Sequence, residues 1–204
     1  MPRNFHWLPD MVLPASTGLL LAVVIGCTDG VGPAASEGRA AYAPGVREPL
    51  ALPGAEATVP AAARVIGVRV GDRARAYLIA ALSLPNGNRD GVPTELSPAR
   101  ILGRHVVNDL VGGTPISVTY CDLSNCARVF TGSGTESLDV AIAGRRGGEM
   151  QLMLNGKRFS QHAADAPLPD FPFELTSWGE WRSKHSTSEV YVGRDTGATR
   201  GERT

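Results

Sequence analysis

The sequence predicts a mainly β fold: a single antiparallel β-rich domain with one or two short helices, preceded by an N-terminal membrane anchor and an extended tether. Three observations carry that expectation. Short runs of alternating apolar residues are punctuated by glycine, asparagine and aspartate turns. Asn155-Gly156 sits between two such runs and is the strongest two-residue hairpin signal in the chain. Helical patterning stands out in one stretch, opening at Ser177.

Residues 1–26 read as a signal peptide or membrane anchor. Arg3 precedes a run from Met11 to Gly26 that is apolar apart from Ser16 and Thr17, the charge-then-apolar order of an export signal. The run closes on Val24-Ile25-Gly26-Cys27, which resembles the lipobox of bacterial lipoproteins, where the cysteine is acylated and the chain is cut before it. Cys27 is therefore the lipid-anchor candidate. An uncut membrane helix is the rival reading. A helix over this run rises only about 24 Å against a hydrocarbon core of roughly 30 Å, and lengthening it backwards takes in Asp10, Pro9 and Pro14. A buried core segment is a third reading.

Residues 27–62 read as a Pro/Ala-rich tether. Pro33, Pro44, Pro49, Pro53 and Pro60 are spread among alanine and glycine without periodicity, so extended chain is expected. Such a segment is either a passive spacer or a strap laid across a partner, since it loses little side-chain entropy when ordered.

The β-rich domain is expected over 63–193, with a polar tail at 194–204. Its first strand alternates through Ile66, Val68 and Val70, and Gly71-Asp72 turns it into Ala74 to Leu82. Leu84 to Pro98, with Pro85, Asn86-Gly87, Asp90-Gly91 and Pro93, is a loop. Strands are expected at Arg104 to Val111 and Ile116 to Tyr120, separated by Gly112-Gly113, then at Ala127 to Phe130 and Leu138 to Ala143. Met150 to Leu154 and Lys157 to Ser160 flank Asn155-Gly156. The helix follows. Ser177 and Glu180 have capping-box spacing, and Trp178, Trp181 and His185 lie on one face. Those aromatics either seal a core edge or form a partner-contact platform.

Charge and cysteine usage narrow the function classes. Lysine plus arginine and aspartate plus glutamate number 20 each, which leaves no electrostatic footprint for nucleic acid. Arg145-Arg146 in a glycine-rich loop is either a solvated tip or a contact for an acidic partner. Beyond Cys27 only Cys121 and Cys126 remain, which in an oxidising compartment either pair or stay quiet thiols.

Two chemical constellations stand out. Cys121, Cys126, His105, His162 and His185, with Met150 and Met153, are ligand types that suit copper or zinc, although no two of these histidines are close in sequence. His105 with Asn108 and Asp109 suggests acid–base work, but a strand does not turn all three to one side. The plainer reading has Asn108 and Asp109 bonding local backbone before the glycine turn. No Gly-x-Ser-x-Gly elbow and no phosphate-cradling loop ending in Lys-Ser/Thr is present.

His105-Val106-Val107-Asn108-Asp109, Gly112-Gly113-Thr114-Pro115, Val118-Thr119-Tyr120-Cys121, Phe130 and Trp178-x-x-Trp181-x-x-x-His185 occur in that order. Together they resemble domain-of-unknown-function family 3179, over roughly Ala63 to Gly193. The resemblance implies an extracytoplasmic bacterial protein and brings no agreed activity. The family commonly shows Cys-Pro-Leu-Cys where this chain has Cys121-Asp122-Leu123-Ser124, with Cys126 two residues on, and the proline common after the last histidine is Ser186 here.

The leading functional expectation is a non-enzymatic, membrane-anchored structural or interaction subunit on the periplasmic side of a bacterial membrane. It has a protein partner in a larger membrane assembly, with a respiratory or photosynthetic electron-transfer complex as a fitting host, and no cofactor. The alternative class is a copper-binding or thiol-redox lipoprotein using Cys121, Cys126 and histidines, with zinc as a second metal; a hydrolase using His105 is the weakest reading.

Overall fold

The computed structural model describes residues 42–83 and 104–195. The expected anchor with Cys27, the tether before residue 42, the loop at 84–98 and the end of the tail lie outside the described residues. Among the described residues no helix is long and apolar enough to cross a membrane.

In chain order the strands are β1 (Ala43–Pro44), β2 (Val46–Arg47), β3 (Pro49–Pro53), β4 (Arg64–Val70) and β5 (Arg73–Leu78), followed by the short helix α1 (Ile79–Leu82). Then come β6 (Val106–Val111), β7 (Thr114–Cys121), β8 (Cys126–Thr131), β9 (Ala141–Arg146), β10 (Glu149–Leu154), β11 (Lys157–Ser160) and β12 (Glu174–Ser177). Helix α2 (Trp178–Lys184) and β13 (Glu189–Asp195) close the order. The protein is mainly β with two short helices, as the sequence predicts.

These strands form three sheets stacked as layers. The outer sheet runs β1-β9-β10-β11, the central sheet β2-β6-β7-β8, and the third β12-β4-β5-β13-β3. Most pairs are antiparallel; β2 with β6 and β5 with β13 are parallel. The central sheet is buried on both faces, which is why β7 is buried along nearly its whole length, its polar Ser117 and Thr119 included. One face of it, with Val107, Val111, Ile116, Val118 and Val129, packs on Ile66, Val68, Tyr77 and Tyr191 of the third sheet. The other, with Val106, Cys121 and Phe130, packs on Ile142, Met150 and Leu152 of the outer sheet. The far face of the third sheet, with Val65, Ala76 and Val190, is closed by Trp178 and Trp181 of α2.

Local chemistry explains the turns and caps. Asn155 and Gly156 take φ of 50° and 76° between β10 and β11, the left-handed pair that a two-residue hairpin requires. The Ser177 side chain accepts from the Glu180 backbone N–H, and the Glu180 carboxylate accepts from the Ser177 N–H, so the expected capping box is formed.

One expectation needs correcting. Residues 43–53 are not tether: they supply β1, β2 and β3, one edge strand to each of the three sheets. Pro44, Pro49 and Pro53 fall at strand ends, where a residue without an N–H is tolerated on a sheet edge. This Pro/Ala segment staples the domain's own layers. The exposed side of β8 is covered in turn by the chain around Asp170. There the Phe171 N–H donates to the Val129 carbonyl (2.8 Å), and the Thr131 N–H donates to the Pro169 carbonyl (3.0 Å).

Candidate functional site

The motif residues lie on β6 and β7, and their alternation sends them to opposite faces of the central sheet. Asn108 points to the outer sheet. Its Nδ2 donates to the Val140 carbonyl (2.8 Å), and its Oδ1 accepts from the Val140 N–H (3.2 Å) and from Ser117 Oγ (2.5 Å). A side-chain amide thus pairs with one peptide unit as a neighbouring strand would, tying β6 to the segment that opens β9.

Asp109 points the other way, between the central and third sheets. Arg75 Nη1 lies 2.7 Å from both its carboxylate oxygens, Tyr77 Oη donates to Oδ2 (2.6 Å), and the Leu110 N–H donates to Oδ1 (2.7 Å). Arg75 also pairs with Glu189 of β13. The side chains of Arg75 and Asp109 are 15% and 5% exposed, whereas Glu189 at 40% opens the network to solvent. Burial alone would lower the Arg75 guanidinium; the charge of Asp109 and the bonds to both carboxylates outweigh it and hold it above its ordinary value. Only the Leu110 contact is the local backbone bond expected for these residues. The bonds of Asn108 to Val140 and of Asp109 to Arg75 and Tyr77 are ties between layers.

Tyr77 is pushed well above its ordinary value of 10.0, first by burial and then by the Asp109 charge. A group raised on folding contributes fully below its unfolded value and loses that contribution as pH climbs towards the folded one. Stability is therefore expected to fall as pH rises above about 10. Tyr77→Phe, which costs about 1 kcal/mol at neutral pH, should flatten that fall. Urea midpoints across alkaline pH check this, and parallel curves for the two proteins would contradict it.

His105, at the start of β6, is buried, and its Nδ1 lies 3.0 Å from the Tyr120 carbonyl. A carbonyl only accepts, so this contact puts the proton on Nδ1, an orientation also used for metal-ligating histidines. No group of three His, Cys, Asp or Glu side chains converges to hold a metal among the described residues. His162 is exposed beyond β11, its N–H donating to Ser160 Oγ. His185 caps α2, its ring centroid 4.2 Å from that of Trp181. The three histidines thus sit at three different layers. Met150 faces the core while Met153 borders a surface hollow.

Cys121 and Cys126 are cross-strand partners in the β7–β8 register. They are not joined to each other, because Cys121 is a buried free thiol. Beside them Tyr120 Oη donates to Asn125 Oδ1, which also accepts from Arg64 Nη1 (3.1 Å). Burial pushes the Tyr120 phenol up and Arg64 partly counters it.

Trp178 and Trp181 are 2% and 1% exposed, so their partner-contact reading gives way to the core one: with Ala57 and Val59 they pack on the far face of the third sheet. Arg145 and Arg146 stay exposed near the β9–β10 turn, Arg145 Nη2 donating to the Gly148 carbonyl (3.3 Å). The sequence reading missed Arg75, Tyr77 and Glu189. The period-two pattern Arg73-Ala74-Arg75-Ala76-Tyr77 was the available signal, since it puts Arg75 and Tyr77 on one face. Among the described residues Gln161 Oε1 is the one buried side-chain polar atom without a partner.

No curated protein and no solved structure matches the chain. A family model described as "Protein of unknown function (DUF3179)" matches residues 88–202, which takes in β6 to β13 and both faces of the central sheet while leaving out β1 to β5. With more than half of its length covered, the chain belongs to the DUF3179 family.

Proposed function

We propose that this protein is a non-enzymatic structural or interaction subunit, held to the extracytoplasmic side of a bacterial membrane through Cys27 and serving a larger membrane assembly. One observation carries the non-enzymatic part: the polar motif side chains are spent on holding layers together. Asn108 is bonded to the Val140 peptide and Asp109 to Arg75 and Tyr77 across the layers, while His105 is bonded to the Tyr120 carbonyl within the central sheet. A side chain whose bonds brace three sheets cannot move through a catalytic cycle without loosening them. The stapling of all three sheets by residues 43–53 supports the same reading, because it ties the layers into one body.

Purification in detergent through a tag after Thr204, followed by mass spectrometry, tests the proposal. One partner in fixed ratio is expected, with Arg145→Glu/Arg146→Glu lowering its recovery and Cys27→Ala releasing the chain from the membrane fraction. Recovery of the protein alone and monodisperse overturns it. So does about one copper or zinc per chain that is lost in Cys121→Ser/Cys126→Ser, the outcome that selects the metal or thiol-redox class instead.

A further inference from the structure

We infer that the outward face of the outer sheet carries a binding site for a neutral saccharide ring. The site is a hollow of about 380 Å³ lined by Tyr42, Asp139, Ala141, Met153, Asn155 and Gly156, within the roughly 300–1,000 Å³ range of small-molecule sites. Its construction follows from the register. Ala141 of β9 is paired with both Pro44 of β1 and Met153 of β10, opposite in facing to Ile142, which points into the core. Tyr42 leads into β1 on one side, and the Asn155–Gly156 turn stands on the other.

The chemistry of this lining differs from that of the motif. The polar side chains of the motif are bonded within the interior, whereas the Tyr42 hydroxyl and the Asn155 carboxamide make no hydrogen bond among the described residues. Tyr42 is 56% exposed, an aromatic face offered to solvent. Asp139 is paired through Oδ1 with Arg47 Nη1 (3.2 Å), which neutralises its charge and leaves Oδ2 able to accept. The hollow thus offers donors and acceptors side by side without net charge, above a floor of a methyl group and a thioether. Hydroxyl groups both donate and accept, and the C–H face of a sugar ring suits the electron-rich face of a tyrosine. An ion would find no uncompensated charge here, and a purely apolar ligand would leave the polar rim unpaired.

The test titrates the full-length chain, in a detergent without a sugar headgroup, with maltotriose and with the N-acetylglucosamine trimer by calorimetry. Saturable binding of at least one trimer is expected. Tyr42→Ala should weaken it at least about tenfold and Tyr42→Phe by about threefold. Asn155→Gly, which keeps the positive φ of the turn, should weaken it by about threefold. No saturation by either trimer up to about 20 mM overturns the inference, as does binding that Tyr42→Ala leaves unchanged. Circular dichroism checks folding; if Tyr42→Ala misfolds, Asn155→Gly decides alone, and unchanged binding overturns it. The inference does not depend on the membrane assembly: a chain that copurifies with nothing can still bind sugar.

Discussion

Asp109→Ala is expected to lower folding stability by about 3 kcal/mol, the scale for breaking a buried ion pair by removing one partner. The loss follows from what stays behind. Arg75 remains 15% exposed between two sheets with only the half-exposed Glu189 to balance it, and the Tyr77 hydroxyl loses its acceptor. Arg75→Met should be costly for the mirror reason, leaving the Asp109 carboxylate buried with one phenol and one backbone N–H. The double variant Arg75→Met/Asp109→Ala should lose less than the sum of the two by more than about 1 kcal/mol, because neither change then strands a charge. Urea unfolding of the four proteins measures this. A drop below about 1 kcal/mol for Asp109→Ala would mean that water reaches the network and that it does not bind the layers.

That network also marks how far the sequence could be read. β4, β10, β11 and α2 announced themselves, because each combines a pattern of one period with a local stop signal, Gly71-Asp72, Asn155-Gly156 or the Ser177 cap. β1 to β3 did not. A proline-rich edge strand has no alternation to display, since its pairing is decided by the sheet beside it. β12 and β13 were missed for a related reason: Leu175 is exposed, and β13 runs parallel to β5, so no hairpin turn introduces it. The site was legible by type and not by partner. Asn108 and Asp109 stood out as polar residues in an apolar strand, but Val140, Arg75 and Glu189 are brought to them only by the stacking of three sheets. The opposite facing of Asn108 and Asp109 is readable from their adjacency alone, and it argues against a single catalytic cluster.

Gly67→Ala should be the other severe substitution, for a reason that lies in packing and not in charge. Gly67 sits in the middle of β4, between Ala76 of β5 and Glu174 of β12. A Cβ placed there would come within 2.3 Å of Cε3 and Cζ3 of Trp181. The indole has no easy retreat. Its Nε1–H donates to Ser188 Oγ at 2.8 Å, the His185 ring lies against it, and it is 1% exposed. Overpacking of this kind costs about 3 kcal/mol when the neighbour cannot move, and Trp181→Ala should cost about 3–5 kcal/mol through the cavity it leaves. The two effects are opposite in volume, so they should compensate. Gly67→Ala/Trp181→Leu should be more stable than the sum of its single variants allows, by more than about 1 kcal/mol, in thermal or urea unfolding. Strict additivity would show that α2 shifts freely over the third sheet. A helix that slides in this way would undo the view of the domain as one rigid block, because Trp178 and Trp181 are what close its last layer.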